Sequence, residues 1–263
     1  MTGQRMVTVG IDLAAHARRT AVCRVVWGGD DGWTVEFVQP EGDEELLTLV
    51  READKTGLDC PLGWPSDFVA TVLAHQRGER LPPPVRFAER TDGRPGLDGL
   101  RFRLTDDLTW KATGTRPPLS VSTDLLGVVA LRAAYLLDGL AERGVGVPRD
   151  GSGPIAEVYP AAALHRWGLH LTGSYKRPTP EARAAREQIV RGVEDGLGLA
   201  LPEAVRTRCV DSHDHLDAVV CAVVARAVLV GDTVWPGSSR ERGAAREEGW
   251  IHLPGAGLGV LGR

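Results

Sequence analysis

Asp12 directly follows Met6–Ile11 (MVTVGI), a short apolar, β-branched run that reads as a buried strand. Asp59 stands in the same situation. It ends the run Thr56–Asp59, which Pro61, Gly63 and Pro65 close sharply. In open α/β sheets ligands gather at the carboxyl ends of strands. A carboxylate there costs apolar burial unless a positive group meets it. Either aspartate alone reads equally well as turn chemistry; two of them, on strands expected to be central and parallel, support a site. The third element is DSHDHLDA, Asp211–Ala218, at the start of an apolar helix. Its Asp214 and Asp217 are three apart, which puts them about 5–6 Å from each other on one face. Acidic groups suit a helix N-terminus, and Asp211 could cap it. One cap does not need three aspartates, however, and Asp217 lies beyond it on the core side. Removing Asp217 is expected to relieve repulsion without destabilising the metal-free fold. His213 and His215 are two apart and cannot share a helix face, which argues against a zinc pair. They read as surface histidines or a substrate contact.

Carboxylates gathered in this way repel unless a hard cation neutralises them. Oxygen ligands favour Mg²⁺ or Mn²⁺. Two such ions about 3.5–4 Å apart can activate a water and stabilise the leaving oxygen of a phosphodiester. The candidate metal ligands are Asp12, Asp59, Glu157, Asp214 and Asp217; the catalytic set is Asp12, Asp59, Asp214 and Asp217. Glu157 lies late in a strand, in AEVYPAAAL, and the choice between Asp59 and Glu157 as third ligand stays open. Three cations are candidate substrate contacts. Arg103, in RLTD, could pair with a carboxylate or a phosphate, with Thr105 able to cap a short helix. Lys176 and Arg177, in SYKRPTPEARAAR, fall between the Glu157 strand and the DHLDA helix and could hold phosphates.

The positioning elements follow from periodicity. Thr20–Trp27 and Trp33–Val38 read as two strands joined by the turn Gly28-Gly29-Asp30-Asp31-Gly32. Asp43–Ala53 carries Leu46, Leu47 and Val50 at helical spacing. Leu81–Leu119, rich in Pro, Gly and Arg, reads as an inserted functional loop. Ser120–Arg143 is a helix with Leu125, Val128, Val129, Leu131, Leu136 and Leu140 in its apolar pattern. Pro154–Tyr159 reads as a strand, Thr179–Gly196 as a charged helix, and Asp211–Val230 as a strongly apolar helix. Trp250–Leu253 suggests a late edge strand. The expectation is one α/β domain over 1–254, with 77–150 an insertion and 255–263 a disordered tail.

The composition sets outer limits. There are 263 residues, 43% of them hydrophobic, enough for a real core. No apolar run reaches the roughly 18–20 residues of a membrane span, and the N-terminus has no signal core, so the cytoplasm is expected. Cys23, Cys60, Cys209 and Cys221 form no CxxC pair and read as reduced thiols. The net charge of −4 does not advertise nucleic-acid binding, although the runs His165–Arg191 and Arg77–Arg116 allow a locally basic face.

GIDLA at Gly10–Ala14, LDCPLGWP at Leu58–Pro65, RLTD at Arg103–Asp106, EVYPAA at Glu157–Ala162 and DHLDA at Asp214–Ala218 occur in this order along most of the chain. The set resembles the RNase H-like superfamily, its C-terminal helix being closest to the Holliday-junction resolvase branch. The nearer resemblance is to domain-of-unknown-function family 429, a family of predicted RNase H-like nucleases. That resemblance implies a mixed five-stranded sheet with the first three strands antiparallel, flanked by helices. It also implies metal-dependent phosphodiester hydrolysis, with DNA, RNA or a nucleotide as partner. The alternatives are a non-catalytic nucleic-acid or nucleotide binder of the same fold and, ranked below it, an actin-like or sugar-kinase-like ATP-binding protein. The latter needs a second strand–hairpin unit and Gly-rich phosphate loops, and the sequence offers neither.

Overall fold

A computed structural model describes residues 5–28, 33–82, 98–114, 117–169, 173–255 and 257–262. The expected turn at Gly28–Gly32 and much of the Arg-rich loop fall partly outside these residues.

Five strands make one mixed sheet in the order β3-β2-β1-β4-β5. They are β1 (Met6–Asp12), β2 (Ala21–Trp27), β3 (Thr34–Val38), β4 (Lys55–Asp59) and β5 (Ile155–Glu157). The first three are antiparallel in sequence, while β4 and β5 run parallel to β1. The architecture is consistent with an RNase H-like fold. Helix α1 (Asp43–Glu52) connects β3 to β4 and buries Leu46, Leu47 and Val50, the three residues its spacing selects.

Strand alternation sends side chains to opposite faces. Val9, Ile11 and Leu58 point to one face, where α1 and α5 (Gly127–Glu142) cover them. The sequence between β4 and β5 was expected to be an insertion, yet its helix α5 closes this core. Only part of the apolar pattern expected for this helix faces inward. Ala130, Ala133, Leu136 and Leu140 are buried, whereas Leu125, Val128 and Leu131 are exposed. Small alanines let α5 lie close to the sheet.

The other face carries α9 (His213–Leu229), buried from Leu216 to Val228. Around it pack α6 (Pro160–Arg166), α7 (Pro180–Leu197) and α8 (Glu203–Asp211). The sheet is thin where α9 crosses it. A Cβ on Gly10 would fall on the Ala218 carbonyl, and one on Gly57 on the Cys221 carbonyl. Two glycines side by side on β1 and β4 therefore let the α9 backbone rest on the strand backbones.

Helices α2 (Ser66–Gln76), α3 (Asp98–Arg101), α4 (Leu104–Thr113) and α10 (Ser239–Glu248) gather beyond the β5 edge. Ile251 continues that edge as a single parallel bridge to Glu157. The expected disordered tail instead packs: a 3-10 turn at Leu258–Val260 buries Leu258, and Leu261 follows it into the α7–α9 core. The four cysteines are free and buried. Among the described residues no helix is long and apolar enough to cross a membrane.

Candidate active site

The site begins with strand register. Asp12 and Asp59 are direct partners on the parallel pair β1–β4. They stand two residues after Gly10 and Gly57, so they share the face those glycines open to α9. Because the helix can descend there, its first turns arrive beside both strand ends. His213, Asp214 and Asp217 are thereby brought to the two strand aspartates. One ligand atom each from Asp12, His213 and Asp214 lie within 4.8 Å of one another.

The electrostatics are those of crowded, dehydrated carboxylates. Burial and the neighbouring Asp59 and Asp217 push the Asp12 carboxyl well above its ordinary value. Burial pushes Asp59 up to about 7, against the opposing pull of Lys176. Asp214 goes the other way, held low by the hydrogen bond from His213, whose Nδ1 is 2.8 Å from Asp214 Oδ1.

Asp217 is fully buried and already has partners. It accepts a hydrogen bond from the Tyr175 hydroxyl at 2.7 Å and pairs with Lys176 Nζ at 2.7 Å. The Lys176 stem remains 41% exposed while its ammonium turns inward. Burial would lower its pKa, but Asp217 and Asp59 outweigh burial and hold the ammonium charged. The loop ahead of α7 therefore places a fixed positive charge against the carboxylates. Arg177 is exposed and is tied in through its carbonyl, which accepts from Arg186 Nη1 at 3.4 Å.

Glu157 and Arg103 are engaged elsewhere. Glu157 pairs in register with Leu58, which puts it on the sheet face opposite Asp59. There it binds Arg103 in a bidentate pair, at 2.7 and 2.6 Å, and accepts the Leu62 amide at 3.0 Å. The same guanidinium donates to both oxygens of Asp106, at 3.1 and 2.8 Å, and to the Glu248 carbonyl. All three guanidinium nitrogens are thus committed and buried. Of the two roles open to Arg103, pairing with carboxylates is the one this geometry displays, and it occupies the donors a phosphate would need. Glu157, occupied by the same pair, leaves Asp59 as the strand-end carboxylate beside Asp12. The cap of α4 differs as well: the Asp106 carboxylate accepts the Arg103 amide at 2.9 Å, and Thr105 instead accepts from the Ile251 amide.

Three participants went unread in the sequence. His215 lies edge-on to Phe37 at 4.6 Å, and His213 was read only as a surface histidine or a substrate contact. Its adjacency to Asp214 was the available signal. Tyr175 and Tyr159 approach through loops, and no spacing rule marks them.

No curated protein and no solved structure matches the chain. The family model described as "Protein of unknown function (DUF429)" matches residues 10–241, a span from the β1 glycine into α10 that includes every strand-end and helix carboxylate described above. The chain belongs to the DUF429 family.

Proposed function

We propose that the protein is a divalent-metal-dependent phosphodiester hydrolase of RNase H-like type. The observation that carries this reading is the convergence of Asp12, His213 and Asp214 within 4.8 Å beside Asp59, from three elements remote in sequence. The residues fit a metal. Asp12 and Asp59 are strained by mutual repulsion and dehydration, and a cation relieves both. Asp12, Asp214 and His213 would hold the ion, with Asp59 adjacent. Two carboxylates with one imidazole depart from the all-oxygen set expected from sequence and favour a transition ion such as Mn²⁺ over Mg²⁺. Such an ion supplies Lewis-acid polarisation of a phosphoryl oxygen and acidifies bound water.

The remaining roles belong to the chain. Lys176 presents its ammonium at the rim of the cluster, where a phosphoryl oxygen can exchange for part of its contact with Asp217. Asp217 and Tyr175 position that ammonium. The β1–β4 register fixes Asp12 against Asp59, and α9 fixes Asp214 against both, so the donors need no rearrangement to converge.

One observation favours a second reading. The Lys176–Asp217 pair neutralises one carboxylate without any metal, as a non-catalytic nucleotide or nucleic-acid binder would allow. Calorimetric titration with Mn²⁺, followed by hydrolysis assays on single-stranded, duplex and mononucleotide substrates, separates the two. Metal binding with cleavage supports the hydrolase. Metal binding without cleavage of any substrate supports the binder, and failure to bind Mn²⁺ overturns the metal centre.

A further inference from the structure

A cavity of about 310 Å³ opens directly beside the carboxylate cluster. Asp59 and Lys176 form one edge of it. Its other walls are apolar: Pro117, Leu119, Leu126, Val158, Tyr159 and Ile251. The Arg103–Glu157 pair also reaches its wall, but its bidentate contact leaves the guanidinium donors committed and none directed at a ligand. The cavity therefore has one charged edge, facing the candidate metal ligands, and an otherwise largely hydrophobic interior. Its volume lies at the lower end of the about 300–1,000 Å³ typical of small-ligand sites. That is room enough for one ring system.

A phosphoryl group held against Lys176 and the aspartates must have its organic substituent somewhere. The adjacent apolar cavity would accept a flat, uncharged ring attached through a sugar. Tyr159, half-buried in α6's approach, supplies an aromatic surface of the kind on which bases stack. Burial raises its phenol pKa, so it stays a neutral hydroxyl beside the ring.

We propose that this cavity receives one nucleobase of the substrate, so that the protein cuts at an unpaired nucleotide within a single strand rather than within paired duplex. This rests on the phosphodiester reading above and adds a substrate class to it. A base still paired and stacked in a helix cannot enter; it would first have to leave the stack.

The test compares the Mn²⁺-loaded protein with two variants. Ala161→Phe fills the cavity from α6, and Leu119→Glu puts a charge on its exposed wall, where side-chain replacement spares the core. Binding of a nucleoside 5′-monophosphate is measured against that of the same sugar 5-phosphate lacking a base. The wild type is expected to favour the nucleotide at least tenfold, and each folded variant to lose most of that preference while its Mn²⁺ affinity stays unchanged. A single-stranded oligonucleotide with one abasic position should be cut more slowly there than its intact counterpart. Equal binding of nucleotide and sugar phosphate by the wild type overturns the proposal, as does a preference that survives both substitutions. Should Mn²⁺ fail to bind at all, the metal centre falls instead, and the same base preference measured in EDTA still decides the cavity.

Discussion

Asp12→Asn preserves the shape of the side chain and removes its charge. The variant should fold, melting in EDTA no lower than wild type, because a repelled and dehydrated carboxylate has been replaced. Its Mn²⁺ affinity should fall at least tenfold by calorimetry; unchanged affinity in a folded variant would remove Asp12 from the ligand set. Asp217 behaves differently from the expectation that its loss would relieve repulsion. It is the fully buried acceptor for both Tyr175 and Lys176. Asp217→Ala leaves a tyrosine hydroxyl without its acceptor, so it should lower stability in EDTA by about 1–3 kcal/mol. Lys176, with its stem already in solvent, can swing outward and limit that loss. Urea melts in EDTA decide the matter: a variant as stable as wild type would show that the Tyr175–Asp217–Lys176 contact contributes nothing to folding. The reversal has a plain cause. Helical spacing placed Asp217 correctly on the buried side, but its partners come from a loop some forty residues earlier, which no local pattern reveals.

At the scale of elements, contact between α9 and the sheet depends on the absence of two side chains. Gly10→Ala should force α9 away from β1 and cost about 1–3 kcal/mol or more. It should also weaken Mn²⁺ binding, since Asp214 moves with the helix. Gly127→Ala at the start of α5, where a Cβ meets nothing, is the neutral control; equal stability of the two variants would sink the argument. Arg103→Met tests the other face. Leaving Glu157 and Asp106 buried without their cation should cost about 3–5 kcal/mol, while the folded protein keeps its affinity for Mn²⁺ and for polyanions. A selective loss of polyanion binding would return Arg103 to the phosphate contacts. Elements with an apolar period were legible: β1 to β4, α1 and α9 fall within a few residues of their expected bounds. The charged helix α7 and the short strand β5 were placed as well, whereas α2, α6, α8 and α10 were not. Helix α10 reads SRERGAAREE and buries only Ala245 and Glu248, so its place is set by capping at Ser238 and by Glu248 bonding the Leu104 amide. Helix α5 was found with Leu136 and Leu140 correctly inside, but Ala130 and Ala133 rather than Val128 and Leu131 complete its core face.

For the whole molecule, much of the basic run ahead of α9 is already paired, one arginine inside the fold and two on its surface. Arg186 is buried and donates to the Val210 and Tyr175 carbonyls, Arg183 pairs with Asp211, and Arg191 pairs with Glu187. Only part of the run is left to meet an anionic partner, in keeping with a net charge of −4. Arg177→Ala should therefore reduce the salt dependence of polyanion binding by about one unit of logarithmic slope. An unaltered slope would make Arg177 an ordinary solvated charge. Local spacing marks the Glu187–Arg191 pair within α7, whereas the contacts of Arg183 and Arg186 depend on how α7 packs against α8.

The helix that rests on Gly10 and Gly57 is made about two hundred residues after β1, so much of the sheet's second face must wait for it. During synthesis, β1 to β4 emerge from the ribosome with that face bare, and its strand-end aspartates have no helix opposite them. Such distant pairings slow folding and leave an apolar surface open to aggregation meanwhile. Recovery of the proposed Mn²⁺ binding after dilution from denaturant is therefore expected to follow α9 docking and not to run ahead of it.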